Sequence, residues 1–427
     1  MRFGSRAVLI WAAFLIVQAP AFAGVSLDYE ARYLSQPSRP DHIVDAEAIG
    51  DSLVLVSTNI AVTLLDPDAV PAGGTHDYLG RLDDLNARDL EVLEGRYIYT
   101  VVARTHSPGG PGLAVLERAG HELSRVWQVT EPEVVFERLC LVDSLLYVTV
   151  HSHGLRIYSV SNPVEPVLVG SLSSGLTDAF AVDVAGDTAF VADGAGGLKI
   201  VDVSDPASPA LIDGETLDTA VGTSQDVTVR GGHVYVAAGG AGIAVYPNGV
   251  LGSRVVHPAG PSARNLAWVG DRLALADLGG VRLYDVGSGG ALTEVASEVA
   301  ARRGEDASEL RIAEAVTALG SDRLLAADWS ALDIYRVVPD ATSAVPDVSP
   351  LVQRVRFAPS GGDRGGRGRQ PGHCSASHHG RRRQRLLVPH GVCRRYDRPG
   401  RHGAFRGDVR RLIGRSARRS APEFERS

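Results

Sequence analysis

The chain has 427 residues, 44 % of them hydrophobic, which allows a sizeable core and excludes a wholly disordered protein. Its 48 glycines and 23 prolines, against a single methionine, indicate many turns and few long helices. The net charge of −7 excludes a uniformly basic nucleic-acid binder, but it averages two unlike parts. Twenty arginines and five acidic residues fall between Arg354 and Ser427, leaving 23 basic against 45 acidic residues before them.

At the amino end, Arg2 and Arg6 precede an apolar run from Ala7 to Val17, followed by Pro20 and Ala21-Phe22-Ala23. A charged start, a short apolar segment and small residues two apart are the parts of a secretory signal peptide. The run is too short to cross about 30 Å of hydrocarbon. Residues 1–23 are therefore expected to be removed between Ala23 and Gly24, giving a periplasmic or extracellular protein. No later segment approaches transmembrane length. With only three cysteines, Cys140, Cys374 and Cys393, the exported chain has no disulfide framework, so its core must hold it together. Cys140, within Leu139-Cys140-Leu141-Val142, reads as a small buried hydrophobe.

Val25 to Leu34 reads as a lone strand, upstream of a repeat that begins near residue 42. Each unit opens with alternating apolar residues, turns at Gly-Asp or a similar pair, and continues as a second apolar run. A Gly-rich turn, a third run ending near Asp and Pro, and a fourth run complete it. The clearest copy spans Ala181-Val182-Asp183-Val184-Ala185, Thr188 to Ala192, Leu198 to Asp202 and Pro209 to Ile212. First-turn anchors fall at Gly50, Gly95, Val142, Gly186, Gly231, Gly270 and Gly320, with a mean spacing of about 45 residues. Runs of four to eight residues rich in Val, Ile, Leu and Tyr, bounded by Gly, Asp or Pro, are strands. Four strands per unit, repeated seven times, predict an all-β, seven-bladed β-propeller. One four-stranded sheet cannot cover both its apolar faces, whereas sheets stacked around an axis cover one another. The last unit lacks an obvious fourth strand, and Val25–Leu34 is expected to supply it.

Leu198-Lys199-Ile200-Val201-Asp202-Val203-Ser204-Asp205-Pro206 resembles the signature of the LVIVD-repeat proteins, as does Leu155 to Pro163. The other units match it more loosely. The resemblance implies an exported or surface propeller and no reaction, because these repeats share no catalytic site. The propeller domain is expected over residues 24–345.

Asp45, Asp226 and Asn265 lie five residues before their anchors, and Asp89 six before. First strands line the central channel of a propeller, so these four are the candidates for a ring that holds a ligand or cation. Turn hydrogen bonding alone also accounts for Asp at such places. Asp193, Asp277 and Asp328 follow the second strand in three units, where regular recurrence points to a structural turn. His151 and His153 take that place in the third unit and have no nucleophile beside them. No catalytic residue, cofactor motif or metal-ligand spacing is recognisable.

Residues 346–427 form a linker and an Arg-rich segment without strand alternation, expected to be disordered. A basic arm, a zinc cluster of His373, Cys374, His378, His379, His390 and Cys393, and an off-frame reading of a β domain compete there. The last is favoured. Lys199 is the only lysine among 43 basic residues, which suggests a GC-rich gene whose shifted frame is rich in Arg and Gly. Two functions are open to the propeller. The first is a non-enzymatic envelope scaffold that binds an unknown protein or glycan at its rim, with no nucleic-acid partner. The second is a metal-dependent hydrolase or lactonase working at the channel. Ligand and oligomeric state are not legible.

Overall fold

A computed structural model describes residues 25–34, 42–71, 74–103, 110–217, 222–299, 312–329 and 331–339. They belong to one unit, Met1–Leu351. The expected signal segment 1–23 and the Arg-rich segment 346–427, with its zinc and off-frame readings, lie outside the described residues.

The described residues form seven antiparallel four-stranded sheets, each with its strands in simple meander order apart from the last. The seven innermost strands are Ile43–Ile49, Ala87–Leu93, Leu139–Val142, Ala181–Ala185, Asp226–Arg230, Ala263–Val269 and Ala313–Leu319, and they define blades 1 to 7. The β-branched and aliphatic runs pair as the alternation requires. In blade 4, for example, Ala181 faces Ala192 and Ala192 faces Leu198. Glycine serves the turns where nothing else fits. Gly197 has φ +78°, and a Cβ there would meet the Glu215 carbonyl oxygen at 2.1 Å.

Seven separate apolar clusters hold the molecule, one between each pair of neighbouring blades. Val101, Leu113, Leu146 and Val148 join blades 2 and 3; Tyr235, Val245, Leu273 and Leu275 join blades 5 and 6. The cluster of Val54, Val56, Leu325 and Ile334 joins blade 1 to blade 7 and closes the ring. The inner strands of each sheet are thereby covered on both faces, which a lone blade cannot achieve, while outer strands such as Val167–Leu172 and Ala210–Glu215 stay largely exposed.

The fourth strand of blade 7 is Val25–Leu34, as the sequence predicts. It runs antiparallel to Ala331–Pro339, with Val25 opposite Pro339 and Leu34 opposite Ala331. Arg32 locks this closure by a bidentate pair to Asp333, Nε to Oδ1 at 2.5 Å and Nη2 to Oδ2 at 2.6 Å, both residues being buried.

Register shifts recur in the first strands. Blades 1, 2, 6 and 7 carry a bulge at Ile43/Asp45, Ala87/Asp89, Ala263/Asn265 and Ala313/Ala315. In blade 3, Glu137 N donates to Thr149 O while Thr149 N donates to Arg138 O, so two residues again oppose one. A bulge re-aims side chains, and here it turns consecutive residues toward the axis.

Candidate functional site

All four residues proposed from the sequence, Asp45, Asp89, Asp226 and Asn265, line one central cavity of about 220 Å³. They occupy one level of the channel. Asp89 fits the others once its turn is placed correctly: Leu93 pairs with Tyr97, so Glu94, at φ +53°, opens that turn instead of Gly95. The remaining places at this level are held by Arg138, Ala181 and Ala315.

Each of the four reaches sideways to the next blade. Asp45 Oδ2 accepts the Leu90 N–H at 3.2 Å, and Asp89 Oδ2 accepts that of Leu139 at 2.6 Å. Asp226 Oδ2 accepts the Leu266 N–H at 2.7 Å and the Asn265 amide at 2.8 Å. Asn265 Oδ1 accepts the Val316 N–H at 2.7 Å. The first strands are the inner edges of their sheets, so alternate N–H groups point away from their own ladders, and the neighbouring side chain satisfies them.

Arg138 stands among the three aspartates, with Nη1 3.9 Å from Asp89 Oδ1. Burial opposes its charge, but the fields of Asp226, Asp89, Asp45 and Glu137 outweigh that and hold it firmly protonated. Burial likewise pushes the Asp45 carboxyl up to about 6, against the pull of Arg138 and its N–H bonds. Burial, reinforced by Asp45, lifts Asp89 well above its ordinary range, and burial also raises Asp226. Asp45 keeps some accessible surface because it faces the channel, but protein surrounds it.

Two residues further along each first strand, a second level faces the same cavity: Glu47, Glu91, Cys140, Asp183, Thr228, Ala267 and Thr317. Asp183 Oδ2 accepts the Val229 N–H at 2.7 Å and the Thr228 hydroxyl at 3.2 Å, and Cys140 Sγ lies 3.9 Å from Asp183 Oδ1. Burial drives Glu91 up to about 8, helped by Asp45 and Asp183. Glu47 is raised well above its usual value by burial and by its carboxylate neighbours, beginning with Glu91. Sequence reasoning passes over this level, although side chains at i and i+2 of one strand share a face.

On the other side of the first level, the bulges open a mouth lined by Val44, Arg88, Glu137, Phe180, Gln225, Arg264 and Glu314, around a cavity of about 120 Å³. Arg88 Nη1 lies 2.8 Å from Glu137 Oε2. Arg264 Nη2 lies 3.3 Å from Glu314 Oε2, and its Nη1 donates to Gln225 Oε1 at 3.2 Å. Nothing in the sequence marks these residues, because a bulge has no signature of its own in a single chain.

The acidic turn residues are structural. Asp193 is fully buried and accepts the N–H groups of Thr177 and Asp178, at 2.8 and 2.7 Å. Asp277 accepts from Gly279 N and Arg282 Nε, both at 2.6 Å, and Asp328 accepts the Ile312 N–H at 3.1 Å. The third unit corrects the expected alignment. Thr149 pairs with Leu155 as Ala192 pairs with Leu198, so Val150 takes the place of Asp193. His151 takes that of Gly194. His151 and Gly194 share the same isolated bridge to the following blade, at Ala179 and Ser224. Among the described residues no group of three or more His, Cys, Asp or Glu is arranged to hold a metal ion.

The LVIVD repeat family matches residues 141–173, 177–214 and 221–245, which span most of blades 3 and 4 and of the first three strands of blade 5. No curated protein matches the chain. Among solved structures, the WD40 repeats of RRP9 align with a TM-score of 0.56 and 12 % identity, over 73 % of this chain and all of that one. U3-55K aligns with a TM-score of 0.54 and 12 % identity, over 74 % of this chain and all of that one. Raptor of Chaetomium thermophilum aligns at 0.56 and 13 % identity, over 73 % of this chain but 29 % of that longer chain. At such identities the likeness is one of fold. The chain carries LVIVD repeats and is a seven-bladed β-propeller.

Proposed function

We propose that this LVIVD-repeat propeller is a non-enzymatic binding scaffold of the cell envelope, exported after cleavage near Ala23. One observation carries the reading. The polar residues of the first channel level are committed to the fold, each accepting a backbone N–H from the next blade, with Arg138 as a built-in cation among them. These bonds fix the carboxylates along the channel wall, and the Arg138 charge already answers theirs, which weakens the field that an incoming cation would meet. Binding then falls to the channel mouth and the rim. The acidic excess outside the Arg-rich segment disfavours a nucleic-acid partner. Export rests on the N-terminal pattern, and no helix among the described residues is long and apolar enough to cross a membrane.

The competing reading, a metal-dependent hydrolase or lactonase, draws support from the convergence of Asp45, Asp89, Asp226 and Asn265 on one cavity. Calcium titration separates the two. Preferential binding to the folded state raises the melting temperature as free calcium increases. The scaffold reading expects a melting temperature indifferent to calcium and to EDTA. A calcium-dependent rise that Asp226→Asn abolishes overturns it. Amino-terminal sequencing of the mature protein tests export, with Gly24 expected as the first residue.

A further inference from the structure

We infer that the channel mouth binds a terminal sugar ring, an inference that rests on the scaffold reading and names the ligand class of its site. Three features converge there. The first is charge balance: Arg88 is matched by Glu137 at 2.8 Å and Arg264 by Glu314 at 3.3 Å, and the two other charged residues of the lining, Asp45 and Arg138, are opposite in sign. A mouth so balanced selects neither an anion nor a cation by charge. It suits neutral groups that donate and accept at once, as hydroxyls do. A diol can accept from a guanidinium while donating to the carboxylate paired with it, and Gln225 adds an amide with both capacities.

The second feature is exposure. Arg88 and Arg264 keep 38 % and 36 % of their side chains accessible, while Glu137 and Glu314 keep 8 % and 22 %. Donors therefore face the cavity with acceptors close behind. Phe180 lines the same cavity and supplies an apolar face for the C–H side of a ring. The volume of about 120 Å³ is smaller than a hexose, so it seats one side of a terminal ring and leaves the rest of a glycan in solvent.

The third feature is strain. His151 has φ +38°, where the matching places in blades 4 and 5 are Gly194 at +51° and Gly239 at +54°. A side chain in the left-handed region is disfavoured, and strain of this kind gathers at functional sites. The turn is held by Val150 N to Gly154 O at 2.7 Å and by Ala179 N to His151 O at 3.1 Å. The imidazole packs edge-on against Phe180, with centroids 5.6 Å apart. A histidine in a glycine's place thus fixes the ring that lines the mouth.

Saturation-transfer NMR of the full chain with the methyl glycosides of glucose, galactose, mannose and N-acetylglucosamine tests this. At least one glycoside is expected to receive saturation from the wild type, and Phe180→Ala is expected to abolish it. His151→Gly, which installs the residue used by the neighbouring blades, is expected to keep the melting temperature and to lose the signal. Gln225→Ala supplies a further variant should Phe180→Ala not fold. No transfer to any glycoside from folded wild type overturns the inference and leaves the scaffold reading standing, as does transfer that persists in all folded variants. Cleavage of a bound glycoside overturns the non-enzymatic reading and leaves the mouth as the site.

Discussion

At the scale of single residues, Arg138 decides what the channel is. Three aspartates facing one cavity would repel one another in a medium of reduced dielectric, and the guanidinium among them offsets that repulsion. Arg138→Met should leave Asp45, Asp89 and Asp226 without their cation. Arg138 keeps 27 % of its side chain accessible and meets Asp89 at 3.9 Å, so urea unfolding at neutral pH should show a loss below the ~3–5 kcal/mol of a fully buried pair. The loss should shrink as the pH is lowered toward about 6 and be smallest below it, because Asp45 without the pull of Arg138 keeps its proton to higher pH. An unchanged unfolding midpoint would remove Arg138 from this role. The four aligned side chains are legible in the sequence because their distance from a turn repeats. Arg138 is not, since an arginine at a strand start reads equally as a solvated residue. His151 is displaced by one position from its expected place, because adjacent histidine, serine and glycine residues leave the turn register open.

Among the elements, the N-terminal strand carries the largest consequence for its length. Val25–Leu34 joins the two ends of the described chain in one sheet, and Arg32 and Asp333 bind it there through a pair with almost no access to water. Deleting residues 25–34 should lower the melting temperature sharply and raise amide exchange over Ala331–Pro339, which would become an edge. Arg32→Met alone should cost about 3–5 kcal/mol by leaving Asp333 buried and uncompensated. The double variant Arg32→Met/Asp333→Leu should recover most of it, since an apolar pair of similar volume replaces a buried ion pair with little loss. Equal stability of the single and double variants would refute the coupling. This strand is legible because the last repeat lacks a partner and an unassigned strand lies upstream. The first-strand bulges are not, for they arise where the chain adjusts its pairing with the second strand and leave the residue pattern unaltered.

For the whole molecule, the ring of carboxylates ties stability to pH. Glu91 is lifted from an ordinary 4.5 to about 8 by burial, so the folded state holds its proton where the unfolded chain has lost it. Stability is therefore greatest below the ordinary value and falls as pH rises through the interval up to about 8. Urea midpoints measured across this range should decline with pH, and Glu91→Gln should flatten the decline while changing little near pH 4.5. A midpoint that rises with pH, or a slope that Glu91→Gln leaves alone, would contradict this. The effect belongs to the closed ring, because Glu91 stands beside Asp45 of blade 1 and Asp183 of blade 4 only when all seven sheets surround one axis.

By itself the sequence determined the blade, its count and its closure, because strand period, glycine turns and a repeat of near-constant length are local properties that recur along the chain. It also pointed to the channel-facing level through Asp45, Asp89, Asp226 and Asn265. Only the tertiary structure decided that Arg138 stands among those aspartates and that their lone pairs serve the neighbouring blade. It alone assembled Arg88, Glu137, Phe180, Gln225, Arg264 and Glu314 into one mouth. Those relations join residues from different blades, set by the radius of the ring and the bulges of its inner strands, and no period within a single unit encodes them.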